Sequence, residues 1–143
     1  MRRLTSREQF QATLDGPVVA RTEHFALHCL ALEASTPRSR QDARVDARAT
    51  LFPGGGVWLG AMAPKRWARR AVTRNLIKRQ IHHVSASQKQ FFPAASHVVR
   101  LRAAFDQARF ASAASKPLRQ FVAKQLDALF EQATQRRATG AGP

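Results

Sequence analysis

Seven basic side chains fall within Pro64–His83 (PKRWARRAVTRNLIKRQIHH): Lys65, Arg66, Arg69, Arg70, Arg74, Lys78 and Arg79, with no acid among them. The acid-free region is longer still, since no Asp or Glu occurs between Asp46 and Asp106. A solvated helix face usually mixes both signs, because i,i+4 ion pairs support it. Charge of one sign repels itself and calls for a partner of the opposite sign. Guanidinium groups dominate the stretch, and they suit phosphates and base edges through a planar fork of donors. Asn75 sits among them with an amide that both donates and accepts, so the pattern offers more than charge. The chemistry indicated is the binding of a polyanion.

Residues that would catalyse hydrolysis do not gather in the same way. The nine acids are scattered, and none lies in the basic region, whereas a two-metal nuclease needs clustered carboxylates to hold its ions. His82 and His83 are adjacent on a helix, so their side chains diverge by about 100° and cannot form the i,i+4 pair of a zinc helix. His24 and His28 share a strand face but lack a third ligand nearby in sequence. Cys29 is alone, which excludes a disulfide framework or a cysteine metal site, and it reads as a buried strand residue. The PGGG at 53–56 is followed by no Gly-Lys-Ser/Thr and reads as a flexible turn, not a phosphate loop. No catalytic residue and no metal ligand set is assigned to the chain.

The elements that must position the basic residues follow from periodicity. Over Arg69–Gln88 a helix places Leu76, Ile77, Ile81 and Val84 on one face, with Thr73 and Gln80 among them. Arg74, Lys78 and His82 form a row on the other side, with Asn75 and Arg79 beside it. At 1.5 Å rise per residue the row from Arg74 to His82 is roughly 12 Å long, enough to span about two phosphates. Upstream, Thr5-x-x-Glu8 has capping-box spacing and opens a short helix to about Leu14, stopped at Gly16-Pro17. Val18-Val19 reads as a very short edge strand. His24–Leu32 alternates as a strand, with Phe25, Leu27, Cys29 and Ala31 as its better core face and His28 on the more open one. Residues 33–56 lose all period and read as a long mobile loop. Residues 57–63 form a strand apolar on both faces, hence central, and His97–Leu101 forms another. Ser115 or Lys116 caps a last helix whose stripe is Leu118, Phe121, Val122, Leu126, Leu129 and Phe130. A disordered tail is expected over 135–143. The reading is one α+β domain over 1–134, a small mixed four-stranded sheet packed with helices in the order αβββαβα.

Lys65-Arg66, Arg69-Arg70-Ala71 and Arg74-Asn75-Leu76-Ile77-Lys78-Arg79 resemble the lysine pair and "RNR" helix of the protein subunit of bacterial ribonuclease P. The family usually has Arg where Leu76 stands, and an Arg and an acid where His82 and His83 stand. Arg3-Leu4 followed by Phe10 is similar to the family's start, and Leu126–Phe130 (LDALF) to its last helix. The resemblance covers roughly residues 3–132, apart from the 33–56 loop. It implies a ribosomal protein S5 domain 2-like fold with a left-handed βαβ crossover, against the general right-handed rule. It implies a protein cofactor that binds a catalytic RNA and the 5′ leader of precursor tRNA, promoting endonucleolytic removal of the leader. The RNA carries the hydrolysis, with Mg2+ held through it, and the protein alone binds no cofactor. By the same resemblance Lys65, Arg66, Arg69, Arg70, Arg74, Asn75, Lys78 and Arg79 contact the catalytic RNA. Phe10, Leu14 and His28 fall where the family lines its leader cleft with aromatic residues. Only Phe10 keeps that character; His28 can still stack on a base, and Leu14 offers contact without a π face.

Composition fits this outline. The 143 residues carry a formal net charge of +15, with a sequence pI near 11.9 and 44% hydrophobic residues, enough for a modest core. No apolar run approaches about 18 residues, and the beginning, MRRLTSREQF, has no apolar signal segment. A monomer in the cytoplasm is expected, one per RNA, with neither membrane nor DNA as partner. The competing reading is a non-enzymatic structural RNA-binding protein of ribosomal type. A DNA regulator lacks a paired helix-turn-helix or dimer heptad, and a protein-only nuclease lacks an acid cluster.

Overall fold

Local signals decide where the chain turns helical or extended in the computed structural model, which describes residues 1–32, 50–89, 92–106, 110 and 115–138. Among them the order is β1 (Arg2–Arg3), α1 (Arg7–Leu14), β2 (Val18–Arg21), β3 (Phe25–Ala31), β4 (Trp58–Met62), α2 (Ala71–Ser87), β5 (Ala95–Leu101) and α3 (Lys116–Ala138). The capping box of α1 stands one residue later than Thr5-x-x-Glu8. Ser6 Oγ accepts from Gln9 N at 3.2 Å, and Gln9 Oε1 accepts from Ser6 N at 3.1 Å. Gln9 serves as well as Glu at N3 of such a box, and its Nε2 donates to Leu51 O at 2.8 Å, which ties α1 to the segment before β4. Ser115 Oγ accepts from Leu118 N at 3.2 Å and opens α3. That helix continues through Ala138, so the tail expected from Gln135 begins as helix, and residues 139–143 lie outside the described ones.

The five strands form one sheet in the order β1-β4-β5-β3-β2. β4 runs parallel to β1 and β5, while β3 runs antiparallel to β5 and β2. The helix α2 thus crosses between two neighbouring parallel strands. The expected four-stranded α+β sheet gains a fifth member because Arg2 and Arg3 pair with Trp58 and Leu59. Two residues carry no periodicity, and their partners lie more than fifty positions away, so no local pattern announces β1.

Helices cover both sheet faces. On one side α2 and α3 pack over Phe25, Leu27, Leu59, Val99 and Leu101 with Leu76, Ile77, Ile81, Leu126 and Leu129. On the other, α1 packs across β3 and β5, over Leu30, Trp58 and Val98. This corrects the expected open face of β3: Ala26, His28 and Leu30 are buried along with Phe25 and Leu27, while Cys29 is half-buried and Ala31 exposed. β5 lies at the centre, and every residue of it except Arg100 is buried.

Residues 33–49 of the expected mobile loop lie outside the described ones, but its remainder is held. Phe52 is buried and meets Trp58 edge-on, with ring centroids 5.7 Å apart. Gly54, Gly55 and Gly56 all have positive φ, which Gly adopts without steric cost. Arg2 Nη1 donates to Pro53 O at 2.7 Å and Trp58 Nε1 to Gly55 O at 2.9 Å, so the PGGG turn is clamped from both sides. At the opposite end of the sheet the outer edge of β2 meets α3. Gln132 Oε1 accepts from Arg21 N at 2.8 Å, and Gln132 Nε2 donates to Arg21 O at 3.2 Å. Arg136 Nη1 donates to Val19 O at 2.9 Å.

Candidate RNA interface

The apolar stripe of α2 docks as periodicity predicts: Leu76, Ile77, Ile81, Val84 and also Ser85 are buried. That orients the opposite face outward, with Asn75, Lys78 and Arg79 exposed. Lys65, Arg66, Arg69 and Arg70 are exposed in the segment that leads from β4 into the helix. Arg66 lies over the Trp67 ring, 5.2 Å from its centroid, a cation–π contact that restrains its stem. The first turn of α2 has no side-chain cap on Arg70 and no acid. Cations at a helix N-terminus oppose its dipole, so this end is electrostatically unfavourable until an anion meets it.

Arg74 behaves differently from its neighbours. It is half-buried, and its Nη1 donates to Ala68 O at 3.0 Å and to Arg69 O at 2.7 Å. It therefore folds back and fastens the segment ahead of the helix, where the helical row had placed it facing outward with Lys78. His82, third in that row, is also half-buried. Burial and then the charge of Arg3 hold its pKa below the usual value. Between β1 and α2 runs an open groove of about 690 Å³, lined by Arg3, Asn75, Lys78, Arg79, His82, His83 and Ala86. No carboxylate lines it, and a cleft lined by one sign of charge concentrates its field on an approaching anion.

The second set of residues lies across the sheet. Phe10 and Leu14, four apart on α1, are both half-buried and pack against the smaller core. Phe10 lies directly on Gly60 of β4: a Cβ built at Gly60 would fall 2.5 Å from Phe10 Cε1 and 2.7 Å from Leu4 Cδ1. His28 is close by in the register, where His28 pairs with Val98 and Val98 with Gly60. The structure thus brings Phe10, Leu14 and His28 to one side of the sheet, around the C-terminal half of α1. His28 is buried, so its ring face is not open for stacking, and both nitrogens are engaged. Nδ1 is 3.3 Å from Gly16 O, and Arg100 Nε donates to Nε2 at 2.9 Å. Accepting at Nε2 and donating at Nδ1 is the pattern of one neutral tautomer. Burial first, and then the Arg100 charge, hold the His28 pKa below its ordinary value.

Arg100 was not among the residues that sequence reasoning singled out. HVVRL reads as strand, and an Arg inside it looks like one more surface cation until the register sets it between Ala26 and Met62, diagonal to His28. Its pKa is lowered by burial and then by Arg102, Arg21 and Arg66, so three other guanidinium groups bear on Arg100 at this end of the sheet. Among the described residues, no three His, Cys, Asp or Glu side chains lie together in a way that would hold a metal ion. No described helix is long and apolar enough to cross a membrane.

Comparison with known proteins bears on these surfaces. The Ribonuclease P family model matches residues 1–131. The "Ribonuclease P protein component" of Burkholderia pseudomallei (strain 1106a) is 31% identical over 99% of this chain and 90% of its own length. That of Burkholderia mallei (strain SAVP1) is 30% identical over the same shares. In fold, the chain is similar to the RNase P protein of Staphylococcus aureus, with a TM-score of 0.61 at 17% identity, covering 93% of this chain and 95% of that one. A second structure of the Staphylococcus aureus protein gives 0.57 at 20% identity, covering 92% and 88%. With a family match that runs from β1 into α3 and relatives aligned over nearly their whole length, the chain belongs to the ribonuclease P protein family.

Proposed function

We propose that this chain is the protein cofactor of a ribonuclease P ribozyme: it binds the catalytic RNA through α2 and receives the 5′ leader of precursor tRNA beside α1. The observation that carries the reading is the acid-free groove between β1 and α2, in a chain whose family is ribonuclease P. Exposed cations there release condensed counterions on meeting phosphate, and they reduce the repulsion between two RNAs brought together. Phe10 supplies the aromatic face on which a leader base stacks. Hydrolysis, with its Mg2+, is assigned to the RNA. The protein acts in the cytoplasm as a monomer, one per RNA.

The test is a reconstitution. Protein freed of RNA should leave precursor tRNA intact, and cleavage should follow when the catalytic RNA is added. Efficient cleavage by the protein alone would sink the proposal. Phe10→Ala should spare assembly with the catalytic RNA and weaken holoenzyme binding of precursor tRNA by about 1–3 kcal/mol, with mature tRNA hardly affected. Equal weakening of both tRNAs would make Phe10 a packing residue only.

A further inference from the structure

Arg100 is the one charged side chain of the central strand β5 and the one residue of it that is not buried. A cation half-withdrawn from water needs partners, and the partner it has is His28, at 2.9 Å from Nε. His28 can accept that bond only as the neutral ring protonated at Nδ1, which the Gly16 carbonyl at 3.3 Å selects. Gly16 is fixed in turn: its N–H donates to Thr13 O at 3.0 Å, and a Cβ there would fall 2.8 Å from Cys29 O. The end of α1 thus sets the His28 tautomer, and His28 sets the direction of Arg100. Nε is turned toward the protein, and among the described residues neither Nη atom has a protein acceptor. The charges acting on Arg100 are Arg102, Arg21 and Arg66, all of its own sign. In register, Arg21, Ala26, Arg100 and Met62 form a line across four strands, next to the His28–Val98–Gly60 line on which Phe10 lies. A guanidinium held by Nε beside like charges presents its two Nη groups as an end-on fork, a geometry matched to two phosphate oxygens.

We propose that Arg100 grips a phosphodiester of the single-stranded RNA that passes Phe10, and that His28 is the positioning residue that aims it. This deepens the proposed function and rests on the cleft receiving the leader. His28 then acts through a hydrogen bond and not by stacking, the role that the resemblance alone suggests for it.

The experiment uses holoenzyme reconstituted with the catalytic RNA, titrated with precursor tRNA and with mature tRNA. Arg100→Ala should weaken precursor binding about tenfold or more, as removal of a charge-assisted bidentate interaction does, and leave mature tRNA within about twofold. His28→Gln keeps one donor and one acceptor and should retain most of the affinity, whereas His28→Leu should lose it. In the Arg100→Ala background His28→Leu should cost nothing further, because the two act as one unit. Thermal unfolding of each variant separates a folding defect from a binding one, and Arg100→Gln provides an uncharged polar side chain that lacks the Nη fork. If wild-type holoenzyme prefers precursor to mature tRNA but Arg100→Ala and Arg100→Gln bind precursor as wild type does, the inference falls and the cleft stands. If His28→Leu weakens binding equally with and without Arg100, the positioning role falls. If wild type itself does not distinguish the two tRNAs, the cleft and this inference fail together.

Discussion

Lys78 and Arg79 project from α2 with no side-chain hydrogen bond among the described residues, whereas His28 and Arg100, across the sheet, hold each other and the end of α1. One basic surface is laid on the fold; the other is woven into it. The difference follows from how each is built. A helix that docks by a stripe of Leu and Ile leaves its far side unconstrained, so cations can be placed there at little cost to packing. A cleft between a helix and a sheet has its walls in the core, so each group that lines it also packs against protein. The first surface should therefore tolerate substitution at no cost to stability, and the second should lose some stability with each change.

The largest effect expected is on the helix side. Replacing Lys78 and Arg79 together by Ala should weaken binding to the catalytic RNA by about 1.5–3 kcal/mol for each charge-assisted hydrogen bond to phosphate that disappears. The melting temperature should hold or rise, since Ala is the best helix former. Titrations over a range of salt should show the log–log slope become shallower by roughly 0.7–0.9 for each phosphate no longer neutralised. A large drop in melting temperature would place these residues with the cleft and erase the contrast. Arg74→Ala belongs to neither pattern cleanly: its bonds to Ala68 O and Arg69 O predict a structural loss beside any loss of binding.

Stability itself can be shifted from a point remote from both surfaces. His97 is buried beneath Phe92, with its pKa pushed down to about 4 by burial. Its folded pKa lies below the unfolded value near 6.5, so the unfolded chain takes the proton first as pH falls. Stability is fully present above about pH 6.5 and is lost between there and about pH 4, by about 3 kcal/mol at most for this group. Urea unfolding at a series of pH values should show that slope, and His97→Phe should flatten it. An unchanged slope in the variant would assign the acid sensitivity elsewhere. The smallest effect expected tests the cleft wall. Gly60→Ala puts a methyl against Phe10 and Leu4 and should cost about 1–3 kcal/mol of stability while shifting the Phe10 ring. Weaker precursor binding should accompany it, and assembly with the catalytic RNA should not change. Full stability in this variant would mean that α1 rides loosely on the sheet, against the woven character argued for the cleft.

Much of this contrast is legible in the sequence on the helix side and little of it on the cleft side. The stripe Leu76, Ile77, Ile81 and Val84 announces both the helix and its outward face, because one periodicity determines both. The strands β3, β4 and β5 announce themselves by apolar runs between turn residues. The rest depends on partners far along the chain. Thr5-x-x-Glu8 and Ser6-x-x-Gln9 have the same spacing, and only the fold selects the second. Phe52 stands in a segment without period and is nevertheless core. Arg74 leaves the outward row because the carbonyls of Ala68 and Arg69 come within its reach. The pairing of His28 with Arg100 spans 72 positions and exists only once β3 and β5 are in register.

The outer edge of β2 has a consequence for the chain before RNA reaches it. An unpaired strand edge is a template on which another chain can add itself. Net positive charge keeps copies of the protein apart, but that protection fades when salt or RNA screens the charge. The Gln132 amide, donating to Arg21 O and accepting from Arg21 N, stands where one residue of a neighbouring strand would pair, and Arg136 occupies Val19 O beside it. The Gln132 part of this barrier to strand addition does not depend on charge. It guards against aggregation at the stage when electrostatic repulsion is weakest, as the polycation is being neutralised by its RNA.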